Sequence, residues 1–333
     1  MRIFLLLTVA GITAIFFLTG SRETWQAVVN FKFRYFLLAS LLILVDLFSG
    51  AWRIYIFLRR VTPGTFGAAF KANLANIFLA AATPFQTGGG VAQLWVLNYY
   101  GVSYAAGLTV SILNFVATLT LLLLAASAVL TNLPGRLIDS HSLVLVLDIS
   151  RFAFYFTFVV LVLFLVRPGI FGRFVKAVLG SLSRRLPHHA GRINRWRGRI
   201  MDFIEQYQGH LLHYWNHGKT VLFWNFVLTL ILYLNKCVIA YVILLGLGIP
   251  ADFFDVILLQ MLIIFFLYFA PTPGASLIAE TGMSAVMSLI VPAYALSVFT
   301  VMWRFFTTYF GVLLGSLVLL RILTHSAPIA AKS

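Results

Sequence analysis

Thr83-Pro84-Phe85-Gln86-Thr87-Gly88-Gly89-Gly90 interrupts an apolar stretch that runs from about residue 64 to 100. Pro271-Thr272-Pro273-Gly274-Ala275-Ser276 does the same to a second stretch, from about 253 to 291. Proline lacks the N–H that a helix interior needs and its ring clashes with the preceding turn, while glycine is a poor helix-interior residue. Each stretch therefore reads as two helical arms meeting at a break. The arms after the breaks, about 91–101 and 277–291, are too short to cross a hydrocarbon core of roughly 30 Å at about 1.5 Å per residue. Each pair of arms is expected to return to the side it came from, as a re-entrant hairpin.

Around these breaks lie continuous apolar runs near residues 3–20, 35–58, 103–130, 143–166, 220–246 and 293–321, each long enough to span. The run at 3–20 follows only Arg2 and has no small-residue cleavage site before Arg22 and Glu23, so it reads as an uncleaved first span. Of 333 residues, 61% are hydrophobic and 10% charged. Soluble domains carry about 25% charged residues, so lipid is the matching solvent. Unbroken runs without apolar/polar alternation exclude a barrel. The expected fold is an all-α polytopic integral membrane protein with about six full spans and two re-entrant helical hairpins, a single unit over 1–333.

The formal charge of +15 concentrates in loops beside apolar segments, which indicates topology and anionic headgroups and excludes nucleic acid as the partner. Residues 167–219 hold ten Lys and Arg against Asp202 and Glu205, which makes that loop cytoplasmic. With re-entrant hairpins, Arg2, Arg59, Arg60, Arg321 and Lys332 share its side, placing both termini in the cytoplasm. Arg136 and Asp139 lie outside, as does the loop of Arg22, Lys32 and Arg34, a mild violation of the charge rule. The spans and hairpins then form two units of opposite orientation, an inverted repeat, and paired Gly/Pro interruptions in such repeats mark a substrate site. Within the basic loop two apolar stripes have helical spacing: Phe171, Phe174, Val175, Val178, Leu182 and Leu186, then Trp196, Ile200, Phe203, Tyr207, Leu211 and Tyr214. Both are expected to lie in the headgroup layer, apolar side toward lipid.

Charged groups inside spans cost roughly 2.5–3.5 kcal/mol each on insertion scales and need interior partners. Asp46 and, seven residues later on nearly the same face, Arg53 lie in the second span. Lys236 and Arg304 lie in later spans, and Glu280 follows the second break. Together they imply a hydrated cavity. Gly88, Gly89 and Gly90 open a short helix whose N–H groups could face an anion such as phosphate, with Gln86, Thr87 and Gln93 adding side-chain hydrogen bonds. Zincin, nucleophile-elbow, P-loop and paired-cysteine signatures are absent, and Cys237 is the single cysteine. His210, His213 and His217 can share one helical face, but with no acidic or thiol partner there they read as an interfacial cluster, not a metal site. The chain is expected to be no enzyme and to need no cofactor.

Thr83 to Gln93 as quoted, followed by Tyr100-Gly101-Val102, resembles the first motif of the lysylphosphatidylglycerol synthase transmembrane-region family. Pro271-Thr272-Pro273-Gly274-Ala275-Ser276 with Glu280 is similar to its second motif, and Trp52-Arg53 and Trp303-Arg304 match its arginine-bearing helices. A second glycine is common in that family where Ala275 stands here. The resemblance covers essentially the whole chain and implies a flippase-like domain that moves lipids between leaflets. The aminoacyl-tRNA-dependent transferase fused to it in the family's synthases is not expected here. It further implies a bacterial inner membrane and a substrate-binding set of Arg53, Pro84, Gln86, Gly88, Gly89, Gly90, Gln93, Pro273, Gly274, Glu280 and Arg304, with Asp46 and Lys236 in an intramembrane charge network. The implied substrate is an anionic or aminoacylated phospholipid or a polyprenyl-linked lipid. The competing expectations are an intramembrane enzyme acting on a lipid-linked substrate, and a membrane subunit that docks a soluble glycosyltransferase or synthase through the basic loop. A homo-oligomer or a soluble enzyme partner is the expected protein association.

Overall fold

The computed structural model describes residues 21–61, 65–132, 152, 155–156, 158–160, 163, 190–268, 270, 272–276 and 278–330. The expected first span, most of the span at 143–166, the stripe from Phe171 to Leu186, and Arg2, Arg136, Asp139, Pro271 and Lys332 lie outside the described residues. Those described form helices and turns without a strand. In chain order these are α1 (Arg22–Val29), α2 (Phe33–Val61), α3 (Phe66–Ala82), α4 (Thr87–Tyr99), α5 (Tyr104–Asn132), α6 (Ala190–His217), α7 (Lys219–Gly246), α8 (Phe253–Tyr268), α9 (Ile278–Met287), α10 (Ala293–Arg304) and α11 (Phe310–Ala330). Among the described residues, four stretches are long and apolar enough to cross a membrane: Phe33–Arg60, Tyr104–Ala125, Lys219–Gly246 and Ala293–Thr324.

Local sequence accounts for the helix ends. Ser21 caps α1 reciprocally with Thr24: its hydroxyl accepts from the Thr24 N–H at 3.2 Å, and its own N–H donates to the Thr24 hydroxyl at 3.1 Å. Gly101 and Gly248, with φ of 86° and 72°, close α4 and α7. In each case the following N–H reaches back to close the last turn, Val102 to Leu97 and Ile249 to Leu244, both at 3.0 Å. Arg59 and Arg60 occupy the last turn of α2, where cations complement exposed carbonyls.

Both expected breaks are present, and each folds its arms back on one another. Between α3 and α4 a short turn, Pro84–Gln86, reverses the chain. Thr83 contacts Gly88, Asn76 contacts Gln93, and Lys71 contacts Tyr100, so the two helices run antiparallel. Pro273–Ala275 separates α8 from α9 in the same way, with Gln260 of α8 against Met283 and Met287 of α9. The turns themselves touch: the Gln86 amide donates to the Leu267 carbonyl at 3.4 Å.

Antiparallel packing of α2 on α7 sets where these hairpins originate. Arg53 meets Asn225, Asp46 meets Lys236, and the Asn235 amide donates to the Leu42 carbonyl at 2.8 Å. The C-terminal end of α2, which feeds the first hairpin, and the C-terminal end of α7, which feeds the second, thus lie at opposite ends of the pair. The Lys32 N–H donates to the Gly246 carbonyl at 3.0 Å, joining the start of α2 to the end of α7. Hairpins entering from opposite ends meet at their tips.

The core follows from small residues on α3. Ala69, Ala72 and Ala75 are fully buried against Phe57, Val96 and Leu97, allowing close backbone approach. α11 comes still closer: a methyl group on Gly315 would strike the Leu74 carbonyl of α3. On the outside, Leu37, Leu41, Leu44, Phe48 and Trp52 form an exposed apolar stripe along α2, as expected of a face in contact with lipid.

One expectation is corrected. The C-terminal half of the stripe on α6 faces protein, not lipid: Tyr207, Leu211 and Tyr214 are buried in the main core cluster. Tyr214 donates to the Phe57 carbonyl at 2.8 Å and its ring meets the Phe57 ring edge-on at 5.0 Å. Helical periodicity marks an apolar face without saying whether protein or lipid covers it. Burial pushes the Tyr207 phenol up to about 12 and raises that of Tyr214 as well.

Candidate functional site

Polar residues on α2, α3, α4, α5 and α7 converge on a chamber of about 680 Å³. Its charged walls are Asp46, Arg53 and Lys236. Asn73, Asn76, Gln93, Ser111, Asn114 and Thr118 add amides and hydroxyls, and Tyr233 and Tyr268 add phenols. The first turn contributes Phe85, Gln86 and Thr87. A second cavity, of about 220 Å³, shares Asn76, Gln86, Tyr233, Lys236 and Tyr268 with the first, and it continues to Ala275, Trp303 and Arg304. The two spaces thus meet where the hairpin tips touch.

Two ion pairs serve this region in different ways. Lys236 Nζ lies 2.9 Å from Asp46 Oδ1, with side chains 20% and 12% exposed, so the pair borders the chamber. Arg304 Nε lies 3.0 Å from Glu280 Oε1, with side chains 3% and 0% exposed. Thr308 accepts from Arg304 at 3.3 Å, and the Tyr309 hydroxyl donates to Glu280 at 3.4 Å. The Tyr309 ring also faces the guanidinium at 5.3 Å. The first pair is partly exposed; the second is buried, with Arg304 at the edge of the smaller cavity. Arg53 joins neither: its Nε donates to Asn225 at 3.4 Å, and its Nη2 donates to the Asn114 carbonyl at 2.7 Å and the Thr118 hydroxyl at 3.0 Å.

Of the residues singled out from sequence, Arg53, Gln86, Gly90, Gln93, Asp46 and Lys236 line the chamber, and Arg304 lines the smaller cavity. Glu280 is brought to Arg304 and itself lines neither space. Pro84, Pro273 and Gly274 shape the turns and line neither space. At Gly88 the backbone N–H is not open to the anion expected there. The Gly88 N–H is taken by the Thr83 hydroxyl at 2.8 Å, and a methyl on either glycine would collide with α3, at Thr83 or at Asn76 and Ala80. They are glycines because two helices press together there. Gly90 alone of the three opens on free space.

Sequence reasoning passed over Asn73, Asn76, Asn114, Thr118, Tyr233 and Tyr268. Isolated polar residues within apolar runs were the signal for them, since each needs an interior partner. It also passed over strain at the first turn. Phe85 and Gln86 have φ of 51° and 56°, consecutive left-handed residues that are not glycine. Such conformations cost about 1–3 kcal/mol each and gather at binding sites and switches. A wide π turn at Phe305–Tyr309, directly after Arg304, is a third feature of this kind.

No curated protein and no solved structure matches the chain. The family model for the lysylphosphatidylglycerol synthase TM region matches residues 3–315. With that match across nearly its whole length and its apolar helices, the chain is a multi-pass membrane protein and belongs to the lysylphosphatidylglycerol synthase transmembrane-region family.

Proposed function

We propose that the chain is a lipid translocator, not an enzyme, that moves a lipid headgroup between the leaflets of a bacterial inner membrane. One observation carries the reading: a polar, charged chamber of about 680 Å³ lies among membrane-crossing helices, beside the meeting tips of two broken helical hairpins. Building such a space among apolar helices is costly, and it offers a headgroup a polar path while acyl chains stay in lipid.

In this reading the α3–α4 and α8–α9 hairpins are re-entrant. The units α2 to α5 and α7 to α11 form the inverted repeat, within about six full spans, and both termini are cytoplasmic. The antiparallel α2–α7 pair and the opposed origins of the hairpins support that arrangement. Arg53 and Lys236 receive the phosphate, and the touching turns form the gate across which the headgroup slides. The strained Phe85 and Gln86, which reach both the chamber and Leu267, fit a gate that changes conformation.

Reconstituted liposomes with fluorescent phospholipids test this. Arg53→Gln, and the charge-neutral double variant Asp46→Asn with Lys236→Met, should each slow leaflet exchange by about tenfold or more, the equivalent of about 1.4 kcal/mol. Exchange at wild-type rates in both, with equal protein per vesicle, would refute the proposal.

A further inference from the structure

We infer that the chamber selects an anionic headgroup bearing hydroxyls, a polyol phosphate, over a cationic or aminoacylated one. The inference rests on the transport reading only in taking the chamber as the headgroup site.

Charge comes first. The walls carry Arg53 and Lys236 against Asp46, leaving one positive charge in excess. Asp46 is already held at 2.9 Å by Lys236, and Glu280, the other carboxylate of the region, is fully buried and bound by both Arg304 and Tyr309. An incoming ammonium group would meet a cationic space in which both carboxylates are already engaged. A phosphate would meet two cations, and among the described residues none of the Arg53 hydrogen bonds uses its Nη1.

The hydrogen-bonding pattern then narrows the rest of the headgroup. Several wall amides spend their N–H groups on the protein: Asn73 on the Leu47 carbonyl, Asn76 on Gln93, and Gln86 on the Leu267 carbonyl. Among the described residues, none donates a hydrogen bond to the buried Asn114 side-chain oxygen. The wall is therefore rich in acceptors, and a bare phosphate brings none of the donors they lack, whereas hydroxyls bring one each. Phe115 and Tyr268 stack at 5.9 Å with an interplanar angle of 19° on the chamber wall. They provide an aromatic surface against which the C–H face of a ring polyol can pack. A volume of about 680 Å³ falls within the roughly 300–1,000 Å³ of ligand pockets and accommodates a phosphate with a sugar-sized group.

The test is a binding ranking on the full chain in detergent, read as thermal stabilisation by phosphatidylinositol, phosphatidic acid and lysyl-phosphatidylglycerol. Phosphatidylinositol should act at concentrations at least about tenfold below the other two, a difference of about 1.4 kcal/mol. Asn114→Leu should erase its advantage over phosphatidic acid while both still bind. Lysyl-phosphatidylglycerol binding as well as phosphatidylinositol would overturn the charge argument. Phosphatidic acid doing so would overturn the polyol argument. The wild-type ranking decides even where the variant does not fold. A ranking that holds in a protein that moves no lipid between leaflets refutes the transport proposal and leaves this one standing; lipid movement without the ranking does the opposite.

Discussion

Neutralising Glu280 should cost far more stability than neutralising Asp46, although each is the acid of one short ion pair. At 3.0 Å and an effective dielectric constant of about 20, attraction between Arg304 and Glu280 is about 5 kcal/mol. Glu280→Gln keeps the shape but leaves a guanidinium 3% exposed without its counter-charge, for which about 3–5 kcal/mol is the usual penalty. The Asp46–Lys236 pair is equally short, but it borders a chamber wide enough for water, and Lys236 is 20% exposed. Screening should bring Asp46→Asn down to about 1 kcal/mol or less. With about 2–4 °C per kcal/mol for chains of a few hundred residues, Glu280→Gln should lower Tm on the order of 10 °C, and Asp46→Asn by a few degrees at most. Thermal unfolding in detergent, followed by tryptophan fluorescence, measures both. Replacing the buried pair together, Arg304→Met with Glu280→Leu, should recover most of the loss, because no buried charge is then orphaned. Equal Tm losses in the two single variants, or a double variant worse than Glu280→Gln, would refute the division into a buried and a partly exposed pair.

Gly315→Ala should destabilise by about 1–3 kcal/mol, because its methyl would meet the Leu74 backbone and Phe78 Cβ of α3; the same assay reads it. Tyr214→Phe removes the hydrogen bond to the Phe57 carbonyl and should cost about 1–3 kcal/mol, since the carbonyl loses its buried donor, visible as faster proteolysis of α6. Ala275 has a φ of 54°, so Ala275→Gly should be close to neutral, relief of strain offsetting a lost buried methyl, while Ala275→Val should lower Tm clearly. His210 is held below its ordinary value of 6.5, by burial first and by His213 second. The unfolded chain therefore binds more protons between that lowered value and 6.5, so stability is lost as pH falls through this window. His210→Gln should flatten the Tm profile there.

Much of this architecture was legible before any coordinates. Long apolar runs placed α2, α5, α7 and the α10–α11 helix to within a few residues, because crossing lipid imposes length and composition at once. Proline and glycine located both turns for an equally local reason. Partnerships were not legible. Asp46 and Arg53 share a face of α2 as their seven-residue spacing requires, yet Asp46 pairs with Lys236, nearly two hundred residues away, and Arg53 with neutral groups. That outcome depends on the antiparallel register of α2 and α7, which no local pattern encodes. Glycines at Gly88 and Gly89 are equally ambiguous in sequence, since close approach by a ligand and close approach by a helix demand the same missing side chain.

The wide turn after Arg304 has a mechanical consequence. Upstream of it, Thr300 touches Ser284 of the second hairpin; downstream, Gly311 and Gly315 lie against Ile77, Leu74 and Phe78 of the first. A single rod is thus keyed to both hairpins, and the extra residue in its wide turn sets the angle between the two keys. Deleting one residue there would swing the distal key by about 100° around the rod, at 3.6 residues per turn. The two hairpins would then lose their common axle, so a push on one would no longer reach the other.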